Sequence, residues 1–299
     1  TRKVDQTDDY FDTKVADPYR WLEDDNAADV KAWVEAQNAL TFSYLDKIPF
    51  RDRLRKRVTE LVNYPKYSSP QKAGEYYFFY KNDGLQNQSV IYIQKGLGGE
   101  PEVFIDPNLL SDDGTVKIRL GEPSRDNRYI AVFRSEAGSD WQEIRIFEIE
   151  TRRELEDRVK WVKFSGADWF GDGFFYSGYE RPEEGDELKG QNTGQKVLYH
   201  RLGEAQENDE VVFADPGKPL MYFWASVTED QKYLLLYKAE GSSGNEVHYR
   251  PLGGNQGGFI PLVEGFENDS YVVDNVEGGF ILFTNIDAPN GRVVRVDPA

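Results

Sequence analysis

The chain has 299 residues, enough for one large all-β domain beside a short segment, with two compact units as the ceiling. Its 53 acidic and 36 basic side chains leave a formal net charge of −17. That field repels phosphate backbones and anionic membrane surfaces, so neither nucleic acid nor membrane is expected as a partner. The absence of cysteine rules out disulfides, zinc–thiolate sites and thiol nucleophiles, but says nothing about compartment.

Thr1 leaves an upstream leader open, and the longest apolar stretch, 220–227, is far short of the ~20 residues that span a bilayer. A soluble chain is expected, with its compartment open between cytoplasm and periplasm or secretion. From 26 to 47, Val30, Trp33, Val34 and Leu45 recur mainly at three- and four-residue spacings, which predicts an amphipathic helix with Asp25 or Asn26 capping its first turn. A second helix is expected after Pro49 and before Pro65. Leu54, Val58, Leu61 and Val62 lie on one of its faces, and Arg51, Arg53, Arg55, Lys56 and Arg57 on the other.

Past Pro70 the pattern changes to short aromatic and β-branched runs between Gly, Asn, Asp and Pro clusters, so the remainder reads as all-β. One strand recurs at Ser89, Glu143, Lys196, Glu246 and Arg292. Taking Tyr92, Phe147, Tyr199, Tyr249 and Arg295 as equivalent, the intervals are 55, 52, 50 and 46 residues. Four-stranded propeller blades repeat at about 40–50. Each repeat is entered by a hydrophobic strand, at 76–80, 129–133, 174–176, 233–237 and 280–283, read as the first of the unit and paired with the recurrent one in a hairpin. The fold class is therefore mainly β: an incomplete β-propeller of about five blades over 67–299, preceded by a short α-helical arm over 1–66. The fifth repeat leaves an incomplete blade and an open flank.

Catalytic patterns are sparse. The strand-to-helix elbow of an α/β-hydrolase needs Gly-x-Ser-x-Gly. The nearest serine, Ser243, has Gly241 before it but Asn245 after, and its Gly-Ser-Ser-Gly segment reads as a hairpin turn. His200 and His248 each sit in a recurrent strand beside a tyrosine, and are expected to be surface or inter-blade residues. The acidic runs Asp8-Asp9, Glu23-Asp24-Asp25, Asp112-Asp113 and Glu183-Glu184 are expected to be solvated turns, although carboxylates of this kind also serve glycosidases and calcium sites. Asp112-Asp113-Gly114-Thr115 fits no calcium-loop spacing. Trp141, Trp161, Trp169 and Trp224 are expected mainly to pack between blades. No catalytic residue, metal site or cofactor is assigned.

Asp17-Pro18-Tyr19-Arg20-Trp21-Leu22-Glu23-Asp24 and Lys31-Ala32-Trp33-Val34-Glu35-Ala36-Gln37-Asn38 resemble the start of prolyl oligopeptidases. The stretch from Tyr77 to Val90, with Phe104-Ile105-Asp106-Pro107-Asn108 and Leu110-Ser111-Asp112-Asp113-Gly114-Thr115, is similar to that family's first propeller blade. Gly138-Ser139-Asp140-Trp141, the run from Arg158 to Ser165, and Gln195-Lys196-Val197-Leu198-Tyr199-His200 extend the resemblance along essentially the whole chain.

The resemblance implies part of a serine peptidase that cleaves short peptides after proline, in which a seven-bladed propeller gates an α/β-hydrolase domain. The hydrolase domain and its triad are not in this chain, which alone is expected to be inactive. By the same resemblance Phe164 falls at an apolar substrate-pocket position. Tyr222 and Ser242 fall near two further ones, where well-studied members carry methionine and cysteine. The expected partners are short proline-containing peptides, together with the hydrolase domain or another copy of the chain to cover the arm's stripe of Trp33, Val34, Leu54 and Leu61. Three alternatives stay open: a stand-alone propeller scaffold, a propeller glycosidase, and an oligopeptidase preferring basic residues.

Overall fold

A computed structural model describes residues 1–298 except 137, 184, 186, 189 and 254–256. The chain divides into two compact units, Thr1–Pro65 with Asp83–Leu85, and Lys66–Asn82 with Gln86–Ala299. Glu184, in one of the acidic runs, lies outside the described residues.

The first unit opens with a hairpin of β1 (Thr7–Tyr10) and β2 (Thr13–Ala16) that the sequence pattern does not announce. Its two-residue turn puts Phe11 and Asp12 at φ 53° and 65°, the left-handed pair that matches strand twist. Asp8, expected in a solvated turn, instead sits in this strand and pairs with Arg20, which also donates to Asp17 at 2.7 Å.

Helices α1 (Ala28–Leu45) and α2 (Arg51–Val62) follow. Ala27 occupies the N-cap of α1 and makes no side-chain cap, so neither Asp25 nor Asn26 has the capping role expected of it. The amphipathic expectation also fails for α1: Val30 is its buried residue, while Val34, Leu40, Phe42 and Tyr44 are exposed on several sides. In α2 the stripe of Leu54, Val58, Leu61 and Val62 does form along one face, and it is exposed.

The second unit is built of consecutive antiparallel sheets. The first blade has β3 (Lys66–Tyr67) and β4 (Gln71–Ala73) both paired to β5 (Tyr76–Asn82), then β6 (Val90–Lys95) and β7 (Glu102–Ile105). The second has β8 (Lys117–Pro123), β9 (Tyr129–Ser135), β10 (Gln142–Glu148) and β11 (Glu154–Val162). The third has β12 (Asp168–Phe170), β13 (Gly173–Gly178), β14 (Lys196–Arg201) and β15 (Glu210–Ala214), joined to the second by the pair Val162 and Gly178. The fourth has β16 (Tyr222–Val227), β17 (Tyr233–Ala239), β18 (Glu246–Pro251) and β19 (Ile260–Val263). The fifth has three strands, β20 (Ser270–Val276), β21 (Gly279–Thr284) and β22 (Arg292–Val296). The recurrent hairpin is present in all five. It joins strands two and three of each blade, however, so the runs read as entry strands are second strands.

Alternation along these second strands explains the stacking. On β9, Ile130 and Val132 pack with Phe78, Ile91 and Ile93 of the first blade, while Ala131 and Phe133 pack with Val162 of their own blade and with Trp169 and Phe174 of the third. Phe174 and Tyr176 of β13 face back to the second blade, and Phe175 faces Val227 and Leu234 of the fourth. On β17, Leu235 and Tyr237 meet Phe280 of the fifth blade. Each such side chain contributes about 1.5–3 kcal/mol on burial. Tyrosine hydroxyls add hydrogen bonds across the seams: Leu120 N–H donates to Tyr80 at 2.8 Å, and Val272 N–H to Tyr237 at 3.2 Å.

Both histidines are buried, which corrects the surface half of the expectation. His200 (β14) lies between two carboxylates, its Nδ1 2.7 Å from Asp209 and its Nε2 3.1 Å from Asp157 of β11, so it bridges the second and third blades. Burial, the largest single effect, disfavours the imidazolium, but the two carboxylates together outweigh it and raise the His200 pKa above its ordinary value. Burial, aided by the Lys238 ammonium, pulls His248 down to about 4.

The two histidines act on stability in opposite senses. A raised folded pKa stabilises fully below the unfolded value of about 6.5, and that contribution fades as pH climbs through the folded value. A depressed one, as at His248, costs stability as pH falls from about 6.5 toward 4. Urea unfolding between neutral and alkaline pH should therefore show a decline that His200→Gln flattens. His200→Ala, which strands two buried carboxylates, should cost about 3–5 kcal/mol near pH 6. An unchanged midpoint in His200→Ala would contradict the seam assignment.

Candidate functional site

A cavity of about 500 Å³ opens where the third, fourth and fifth blades begin, lined by Phe164, Tyr222, Trp224, Ser242, Asp269 and Tyr271 among others. Phe164 lies in the connection from β11 to β12, Tyr222 opens β16, and Ser242 sits in the loop between β17 and β18. Strand alternation buries Phe223 and turns Tyr222 and Trp224 to the cavity. The structure thus brings Phe164, Tyr222 and Ser242 to one wall.

Phe164 is 61% exposed and has φ 53°. A bulky residue in the left-handed region is uncommon and is held only where its surroundings fix it. Its ring meets Tyr222 edge-on, with centroids 5.7 Å apart at 87°. Trp224 stacks on Tyr237 at 5.1 Å with an interplanar angle of 3°, and Tyr237 leads to Tyr271 at 6.3 Å. The cavity is thus lined by two aromatic groups, Phe164 with Tyr222, and Trp224 with Tyr271 on either side of the buried Tyr237.

Gln195, 1% exposed, pins this wall. Its Oε1 accepts from Phe223 N–H at 2.7 Å, and its Nε2 donates to the Lys163 carbonyl at 3.2 Å. One side chain therefore fixes the residue before Phe164 and the residue after Tyr222. On the other side Asn245, 2% exposed, exchanges two bonds with the Ser270 backbone, at 2.8 and 3.0 Å. Gly244 N–H donates to Asp269 at 2.8 Å. Gly244 has φ 75°, and a Cβ there would fall 1.7 Å from the Phe266 carbonyl oxygen, so glycine alone fits this turn.

The Gly-Ser-Ser-Gly segment is thus both a hairpin loop and a cavity wall. Among the described residues no histidine, lysine or arginine lines the cavity. Neither histidine is among the residues lining the cavity with Ser242 and Ser243; the lining offers aromatic rings for apolar and stacking contact, together with the carboxylates of Glu240 and Asp269. Among the described residues no group of three or more His, Asp or Glu is placed to hold a metal. No described helix is long and apolar enough to cross a membrane. Asp113 accepts from Thr115 N–H at 3.1 Å and Thr115 Oγ1 at 2.8 Å, and these two bonds hold its carboxyl below the usual range.

Of the site residues, Trp224, Tyr271, Asp269 and Gln195 were not legible as such. Gln195 stands in the Gln195-Lys196-Val197-Leu198-Tyr199-His200 stretch already noted, yet nothing local marks an amide that braces two distant strands. Trp224 was read as packing between blades. It does pack against the seam of the fourth and fifth blades and also lines the cavity, while Trp169 is buried and donates from Nε1 to the Glu122 carbonyl at 2.8 Å.

Comparison with known proteins adds the following. A family model described as "Prolyl oligopeptidase, N-terminal beta-propeller domain" matches residues 1–299. The prolyl endopeptidase of Elizabethkingia meningoseptica is 45% identical over 296 residues, covering 99% of this chain and 42% of that protein. A solved prolyl endopeptidase, 29% identical, superposes with a TM-score of 0.90 over 100% of this chain and 44% of its own. Prolyl oligopeptidase B of Galerina marginata, bound to a 35-residue hydrolysis and macrocyclization substrate, superposes at 0.87 with 29% identity, over 99% and 46%. The chain spans less than half the length of the relatives it matches.

Because Phe164 is exposed, Phe164→Ala should move unfolding stability by less than about 1 kcal/mol, whereas Phe174→Ala, at a buried seam, should cost about 3–5 kcal/mol. Phe164→Gly should be at least as stable as Phe164→Ala, since glycine relieves a left-handed backbone worth about 1 kcal/mol. A loss in Phe164→Ala equal to that of Phe174→Ala would place Phe164 in the core.

Proposed function

Since the chain belongs to the prolyl oligopeptidase family as its N-terminal propeller portion, we propose that it forms the gate and part of the peptide pocket of a serine endopeptidase that cleaves short peptides after proline. The observation that carries this reading is that Phe164, Tyr222 and Ser242 line one cavity, with the Phe164 and Tyr222 rings in edge-on contact. Three residues 58 and 20 positions apart in sequence converge on a cavity suited to ring-bearing, apolar side chains.

Bond breaking is assigned to residues outside this chain, because neither of its two histidines lies in the cavity lining with Ser242 and Ser243 to complete a serine triad. The propeller acts by restricting access and holding the peptide. Such uniform binding lowers KM and leaves the chemical step to the hydrolase domain. Residues 1–66 serve as an arm on that domain. The exposed stripe of Leu54, Val58 and Leu61 is the surface it covers, or that a second copy covers when it is missing. Residues 67–299 make up about five blades of the ring, the fifth with three strands among the described residues.

In the full-length protein a chromogenic proline peptide should be hydrolysed, and residues 1–299 alone should give no turnover. Phe164→Ala should raise KM about tenfold, equivalent to about 1.4 kcal/mol, with kcat changed little. Turnover by residues 1–299 alone, or an unaltered KM in the variant, would count against the proposal.

A further inference from the structure

Phe164 also lines a second cavity, about 890 Å³ in volume, with Lys117, Arg119, Gln88, Ser139, Asp140 and Gln142 among its other residues. Lys117 and Arg119 lie two apart on β8. They share one face of the strand, while Ile118 and Leu120 are buried on the opposite one.

The charge arrangement here is unusual for this chain. Every other arginine of the second blade has a carboxylate partner: Arg125 pairs with Glu229, Arg128 and Arg153 with Glu148, Arg134 with Glu136, Arg145 and Arg158 with Glu154, and Arg152 with Glu102. Arg119 is the exception among the described residues. Its guanidinium rests 3.8 Å above the Phe133 ring and donates through Nη2 to the Ser165 carbonyl at 3.3 Å.

Two neutral contacts thus hold a cation that has five N–H donors to give, in a protein with seventeen negative charges in excess. Partial burial lowers its pKa from the ordinary value, the response of a charge short of a counter-ion. Lys117 is exposed beside it, also without an ion pair among the described residues. The carboxylate in the lining, Asp140, exerts its field on Lys163, whose ammonium lies 3.9 Å over Trp141.

We infer that this cavity is a carboxylate subsite, in which Arg119 and Lys117 bind an acidic group of the peptide held at Phe164. Ser165, whose carbonyl orients Arg119, directly follows Phe164. The two cavities share Phe164, and an extended peptide advances about 3.3 Å per residue. A carboxylate a few residues from the bound proline therefore reaches the guanidinium. In a chain whose overall field repels anions, this patch makes acidic peptides acceptable. Gln88, Gln142 and Ser139 supply neutral hydrogen-bonding groups around the ion pair.

This inference rests on the peptidase reading, and its test separates the two. In the full-length protein, matched proline peptides carrying Glu or Gln at each successive position, and a free or amidated carboxyl terminus, are compared for KM. One position should favour Glu over Gln by about five- to tenfold, by an amount that shrinks as salt rises. Arg119→Gln should reduce that ratio to within about twofold, and Arg119→Lys should keep part of it. A preference confined to the free over the amidated terminus identifies the terminal carboxylate as the group bound.

Parity at every position and terminus overturns the subsite, as does a preference that survives Arg119→Gln combined with Lys117→Gln. Cleavage of the neutral Gln peptide reads the peptidase function separately. If no peptide is cleaved, calorimetric binding of the Glu and Gln peptides to the wild-type and Arg119→Gln proteins still decides the subsite by the same ratios.

Discussion

A four-stranded blade has two apolar faces and no interior of its own, so each sheet of this protein is stable only between neighbours. The second strands carry this constraint. Ile130 and Val132 point one way along β9, and Ala131 and Phe133 the other, each pair closing a different seam. Burial of apolar area supplies the stabilisation, and directional bonds at the seams fix the register. Examples are the hydroxyls of Tyr80 and Tyr237 and the imidazole of His200 between Asp157 and Asp209.

The aromatic cavity is a consequence of that stacking. Its residues come from the connection out of β11, the start of β16, the loop after β17 and the start of β20, so its wall exists only when the third, fourth and fifth blades are in register. Gln195 and Asn245 convert the register into side-chain placement by bonding backbone groups of adjacent segments. The left-handed backbone at Phe164 presents a large ring to open space. The same residue lines both the aromatic cavity and the polar one containing Arg119.

How much of this was readable from sequence follows from the same physics. Second strands buried on both faces are continuous apolar runs, and Tyr233 to Tyr237 announces itself for that reason. First strands such as β8, with Lys117 and Arg119 facing outward, and the three-residue β12 carry no such run, so each hairpin was assigned one strand too early. The β1–β2 hairpin is hidden because Thr7 to Ala16 is polar and its turn uses Phe11-Asp12 in place of a glycine pair. Periodicity suggested amphipathicity in α1, but its apolar residues spread around the helix; in α2 the stripe is real. Phe164, Tyr222 and Ser242 came from family resemblance. No local pattern tells a phenylalanine at a strand end that it will be exposed. Trp224, Tyr271 and Gln195 depend on contacts between segments tens of residues apart, which a linear pattern does not encode.

On the function proposed above, residues 1–299 would hold a peptide and the nucleophile would lie elsewhere in the protein. The most direct test is to treat the full-length protein with a serine-reactive phosphonate and map the covalent adduct by peptide mass analysis. The account predicts one modified serine beyond residue 299, with Ser242 and Ser243 unmodified. An adduct on a serine within these 299 residues, formed in step with loss of proline-peptide cleavage, would contradict it.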